Sequence, residues 1–277
     1  MGSDARIYVF DYERYRTEVV PGMLALFRGD PVPRWLAGLP GSEWGDMWLE
    51  LAGRLRAGPV DLAAYCLWLG EDLAYLGNQP VTLPEGGRPW MRCPSATCPE
   101  RSRCSFHEGA TQANADDLGF LYAAWVTLRC LGEGQFVGRS ARPPDFESLL
   151  EHLGVPANDP IRLHLTALDV RGAVLGYEFE RTAGTYGWLT PAETADLAAR
   201  LDRLDLPRYE PTFEAASAAF GGYHKEPSRM PGELEWPALT LSFVRTAATV
   251  AATSGQGVLW GGDLYPDSWR ELLGLPS

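Results

Sequence analysis

Lysine is nearly missing from this chain: among its 24 basic residues only Lys225 is a lysine, and the others are arginine. Acidic residues outnumber basic ones, leaving a formal charge of −12. Nucleic-acid binding draws much of its affinity from positive side chains set against phosphate, so this balance disfavours nucleic acid and anionic membranes as partners. No apolar run reaches the roughly 20 residues needed to span a bilayer. The opening stretch from Met1 to Phe10 has no basic segment followed by a long apolar one. A cytoplasmic location with no membrane partner is therefore expected. Also missing are G-x-x-x-x-G-K-[ST], G-x-G-x-x-G, G-x-S-x-G and H-E-x-x-H, the commonest nucleotide-binding, hydrolase and zinc-protease signatures. There is no internal repeat and no low-complexity segment.

What is present is the composition of a folded protein. With 277 residues, 45% of them hydrophobic and ten of them tryptophan, the chain can bury a substantial core. A charged content of 22% sets it apart from disordered and fibrous chains. The abundance of Ala, Arg, Gly and Pro is that of a GC-rich bacterial genome. The acidic residues are spread along helical patterns, as solvated helix faces are, and they leave basic proteins as plausible partners.

Cysteine is scarce but concentrated. Three of the five cysteines fall between Arg92 and His107, where Cys93, Cys98, Cys104 and His107 give the spacing C-x4-C-x5-C-x2-H. Zn(II) takes a tetrahedral shell of thiolate and imidazole donors, and short intervals let one stretch of backbone wrap the ion. Four protein ligands close that shell, so the expected metal is structural. The loop of about residues 77–112 is rich in Gly and Pro, and so long an irregular segment needs an organiser. Two alternatives stay open: an iron–sulfur cluster, because Cys98-Pro-Glu-Arg-Ser-Arg-Cys104 resembles the C-P-x-R-x-x-C segment of some iron–sulfur nucleases, and a disulfide. The quartet also looks like a shortened CCCH zinc finger, a family that binds RNA. That resemblance implies contacts from Trp90, Arg92, Arg101, Arg103 and Phe106 to single-stranded RNA. Between Glu85 and Glu108, however, four arginines face three glutamates, a weak positive footprint.

Ala5 to Asp11 is β-branched and aromatic, which predicts a strand. Helices are expected over residues 12–28 with a break at Pro21-Gly22, then over 43–57, 59–76 (with Cys66 in its apolar stripe) and 115–131, where Cys130 lies near the end. A weaker helix is expected from Asp145 to Leu153. Ile161 to Leu165 alternates like a strand, but the stretch from Ile161 to Glu180 fits helix or strand, and a strand is expected around 173–180. Thr190-Pro191-Ala192-Glu193 predicts a helix start, with Thr190 as cap and Glu193 completing a capping box, continuing to about Leu204. Further helices are expected over 211–220, from Pro237 to about Thr253, and over 266–273, with a strand at 258–260.

The stretch Leu189 to Leu204 resembles a segment of the uncharacterised bacterial YfbM-like family. The likeness covers 16 of the 277 residues and omits the cysteine cluster, and it implies a bacterial protein without assigning catalytic positions.

The expected fold is α+β: a predominantly helical single domain over 1–277 with a small sheet and a metal-organised loop, and a candidate subdomain boundary near 139–144. A second site-like segment is Tyr223-His224-Lys225-Glu226. There His224 can titrate near neutral pH and Lys225 can hold an anion, with Asp263 or Asp11 as a carboxylate partner if the strands bring them together. His152 and His164 lie among apolar neighbours and are expected to be hydrogen-bonded structural histidines. The leading expectation is a zinc-bearing protein that recognises another protein, as a regulatory, accessory or immunity-like factor. An enzyme using a His224/Lys225/Asp263 cleft and a CCCH-type RNA-binding module are the alternatives.

Overall fold

The computed structural model describes residues 4–19, 129–139, 141–170, 184–222 and 232–262, with a few isolated positions between 21 and 53. These residues are α+β, with six helices and a four-stranded antiparallel sheet. They fall into two compact units, the first drawing on residues 1–12, 131–171 and 185–263 and the second on 13–130, 172–184 and 264–277. Residues 139–144 lie within the first unit.

The first unit is built on strand β1, Asp4–Phe10. It pairs antiparallel on one side with β2, Leu131–Arg139, and on the other with β4, Gly257–Gly262. Strand β3, Gly184–Leu189, lies beyond β4, giving the order β2-β1-β4-β3. Ala5, Ile7, Val258 and Trp260 contribute to one continuous core. Tyr8 and Phe10, which alternate with Ile7 along β1, are buried as well. A sheet with both faces buried carries near-continuous apolar strands in place of alternation, as Val258-Leu259-Trp260 does.

The helix over this core is α6, Gly232–Thr253, which packs on β1, β2, β4 and on helices α4, Pro191–Leu201, and α5, Phe213–Gly222. Every residue from Ala238 to Ala248 is buried. Polar side chains tolerate this because they bond back to their own helix. Thr240 Oγ1 donates to the carbonyls of Trp236 and Pro237, Ser242 Oγ to Leu239 O, and Thr246 Oγ1 to Ser242 O. The helix begins five residues before the expected start at Pro237. Proline there deprives only the Glu233 carbonyl of its donor, and Glu233 is exposed to water.

Helix α4 starts as the sequence predicts. Glu193 N–H donates to Thr190 Oγ1 at 3.3 Å and Thr190 N–H to Glu193 Oε2 at 2.8 Å, closing the capping box. Leu197 and Leu201 are buried beneath it. The Asp145–Leu153 expectation is met by a 3-10 turn, Pro143–Phe146, and helix α2, Glu147–His152. Ile161–Leu165, where the pattern left helix and strand both open, lies in helix α3, Pro160–Val170. Its alternation also places Ile161, Leu165 and Leu168 at helical spacing, and all three are buried. Asp159 Oδ1 accepts from the Ile161 N–H at 2.9 Å, a start signal that outweighs the pattern.

After β1 the chain enters α1, Tyr12–Arg14, and a π-helical turn, Tyr15–Val19. In the second unit, Arg129 Nε donates to Glu18 Oε2 at 2.5 Å, and Cys130 is buried. No helix among the described residues is long and apolar enough to cross a membrane. The expected helices at 59–76 and 266–273 and the strand at 173–180 lie outside the described residues, as do Cys66, most of the expected helix at 115–131, and all of that at 43–57 except Glu50 and Gly53, which are helical.

Candidate functional site

The quartet Cys93, Cys98, Cys104 and His107 lies outside the described residues, and so do His224, Lys225 and Asp263. Among the described residues no group of three or more His, Cys, Asp or Glu side chains is placed to hold a metal ion. The sheet does bear on Asp11. Because β1 and β4 run antiparallel, with Phe10 beside Gly257 and Ala5 beside Gly262, the chain leaves β1 toward position 11 and β4 toward position 263 at opposite ends of the sheet. Five residues of strand separate those ends, roughly 17 Å. Adjacent strands therefore do not bring Asp11 to the position 263 end.

Three polar constellations are described in the first unit. The first ties the segment after β2 to the end of α3. Arg142 Nε donates to Asp169 Oδ1 at 2.8 Å, and its guanidinium carbon lies 4.8 Å from the centroid of the Tyr186 ring. The Arg142 backbone N–H also donates to Asp145 Oδ2 at 2.8 Å. Charge, hydrogen bonds and ring contact here link the segment after β2 to α3 and β3, the arrangement of a brace.

The second constellation joins α3 to α4. Asp196 Oδ2 lies 2.8 Å from His164 Nε2 and accepts from Arg200 Nε at 2.7 Å. Arg200 Nη1 continues the chain to Asp159 Oδ1 at 3.7 Å, the carboxylate that starts α3. The hydrogen bonds from Arg200 and His164 hold the Asp196 carboxyl below the usual carboxylate range, and Asp196 in turn raises the Arg200 guanidinium. His164 thus has the hydrogen-bonded role expected of it. His152, expected in an apolar setting as well, is instead exposed at the last turn of α2.

The third constellation was not foreseen. Arg245 sits in the middle of buried α6 and is only 7% exposed. Its Nη2 donates to the Pro207 carbonyl, while its Nη1 is buried without a hydrogen-bond partner. Alongside, the Tyr209 hydroxyl lies 2.8 Å from Ser242 Oγ. Burial pushes the Arg245 guanidinium down and the Tyr209 phenol up, since both charged forms lose water. The available signal was a lone charge in Ala238-Leu-Thr-Leu-Ser-Phe-Val-Arg-Thr-Ala-Ala248, a run otherwise small or apolar.

No protein-family model, no curated protein and no solved structure matches this chain.

Proposed function

We propose that this chain is a cytoplasmic, bacterial zinc-binding protein that acts by recognising another protein, as a regulatory, accessory or immunity-like factor. The observation that carries the zinc assignment is the spacing of Cys93, Cys98, Cys104 and His107 within fifteen residues. Two thiolates alone would fit many sites. Three thiolates and an imidazole, with two, four and five residues between them, match a tetrahedral ion wrapped by one loop.

A shell closed by four protein ligands offers no position for substrate or hydroxide, so the ion's role is to shape the loop of about residues 77–112. Ligand deprotonation and ion binding then become part of that segment's folding free energy. Recognition of a protein is supported by a net charge of −12 and by dispersed acidic faces, which favour a basic partner surface. The two described histidines support it as well. His164 is committed to Asp196, and His152 is exposed at the last turn of α2, so neither is set beside a nucleophile.

Elemental analysis of the purified chain tests the metal, with one zinc per chain expected and none in a Cys93→Ser/Cys98→Ser variant. Iron with sulfide would replace zinc by a cluster, and a metal-free protein would remove the assignment. Affinity capture from the native host tests the partner. Wild type should retain a stoichiometric protein that the double variant releases; capture unchanged by the variant, or no partner above background, would overturn the recognition reading.

A further inference from the structure

A guanidinium buried in a helix that is otherwise small and apolar is costly to keep, and the cost is largest when one of its donors has no acceptor. Arg245 is such a group. Its Nη1 is buried without a partner, its Nη2 reaches only the Pro207 carbonyl, and among the described residues no carboxylate is hydrogen-bonded to it. Replacing such a charge with an apolar side chain of similar length is often neutral or stabilising, so its retention points to a use beyond packing.

The surroundings say what kind of use. Ser242 and Thr246 lie three residues before and one after Arg245 on α6, and the Tyr209 hydroxyl lies against Ser242. These groups carry hydroxyls and no charge. Among the described residues, the charged side chains that act on Arg245 are Arg208 and Asp202, which pair with each other at 3.1 Å and so largely cancel. One uncompensated positive charge beside neutral hydroxyls balances one negative charge. A carboxylate meets that condition, whereas a phosphate dianion would leave a second charge buried without a partner.

The connection from Asp202 to Thr212, which reaches Arg245 through the Pro207 carbonyl, has no regular secondary structure and is mostly exposed. It is pinned by the buried Leu206 side chain, by Tyr209 packed against the core beside Phe243, and by the Pro207 carbonyl on Arg245. A peptide carbonyl is a weak, neutral substitute for a carboxylate oxygen, and a stronger acceptor can displace it.

We propose that Arg245, with the Tyr209 hydroxyl beside it, forms a binding site for a small monocarboxylate, closed in this structure by the Asp202–Thr212 strap through the Pro207 carbonyl. Carboxylate binding exchanges the Pro207 oxygen for a charged one and gives Nη1 its missing acceptor. No residue of this site belongs to the segment 77–112.

Thermal unfolding of the full chain in sodium acetate, against sodium chloride at equal ionic strength, tests this. Acetate should raise the melting temperature saturably, and inorganic phosphate should do so less at equal concentration. Arg245→Met should abolish the acetate effect while melting no lower than wild type in chloride. Tyr209→Phe, which keeps the ring in the core, should weaken the acetate midpoint several-fold. The assignment falls if wild type responds equally to acetate and chloride, or if Arg245→Met retains the acetate shift. Should Arg245→Met fail to fold, an unchanged acetate midpoint in Tyr209→Phe overturns it alone.

Discussion

The Tyr8 ring fills the space beside Gly134, its cross-strand partner, so that a Cβ added at Gly134 would stand 2.3 Å from Tyr8 Cδ1 and 2.4 Å from Cε1. Glycine at that position is a space requirement, because the ring covers the ground a side chain would take. Tyr8 is itself 1% exposed and cannot swing away freely. Gly134→Val should therefore destabilise the fold by about 2 kcal/mol through overpacking. Urea unfolding checks this, and a loss below about 0.5 kcal/mol, the scale of an ordinary surface change, would show that the ring relocates.

Gly187 presents a harder case. Its missing Cβ would meet the Ala167 carbonyl oxygen at 2.1 Å and the Leu168 backbone at 2.9 Å, where the end of α3 rests directly on β3. Backbone has no alternative rotamer. Gly187→Ala, the addition of one carbon, should cost about 3 kcal/mol, more than Gly134→Ala, since only the latter faces a side chain. Comparing the two unfolding midpoints decides the order.

The Asp196 carboxyl gives the α3–α4 clamp a pH dependence of known sign. Its folded pKa lies below the unfolded value because Arg200 and His164 donate to the ionised form. Stability from this group is thus fully present above the unfolded carboxylate pKa, about 3.9, and is lost as pH falls through the lower folded value. Asp196→Asn should flatten the acid limb of the stability curve below about pH 4 and leave its neutral-to-alkaline shape unchanged. Denaturant titrations from pH 7 to 2 check this, and parallel wild-type and variant curves would remove the clamp as their cause.

Thr190 caps α4 through its hydroxyl and its backbone N–H, both meeting Glu193. Thr190→Ala should cost about 1 kcal/mol, and Thr190→Ser should retain most of that. Hydrogen exchange at the first amides of α4 should accelerate in the alanine variant while Trp260, on the sheet, stays protected.

How far the chain was readable follows from where the information lies. The start of α4 is written within four residues, because a cap, a proline and a capping-box glutamate interact with one another and with nothing distant. β1 and the Val258–Trp260 strand were readable for a related reason, since their β-branched and aromatic runs favour extended backbone. Strands β2 and β3 were not foreseen: Gly132, Gly134 and Gly138 in one, and Gly184 and Gly187 in the other, have poor strand propensity. They are extended because β1, β4 and the backbone of α3 require close approach there. Of the candidate site residues, the cysteine quartet and the His224, Lys225 and Asp263 set are legible only as sequence.

Composition and local spacing alone established an acidic, helix-rich α+β chain with a dense cysteine-histidine cluster and a capped helix at Thr190, since each of these is a property of neighbouring residues. Only the tertiary structure decided that Arg245 is buried beside Pro207 and Tyr209, that Ile161–Leu165 is helical, and that the ends of β1 and β4 nearest positions 11 and 263 lie apart. Those outcomes depend on which distant surfaces meet, and burial, pairing and register are set by the partner that packs against a segment.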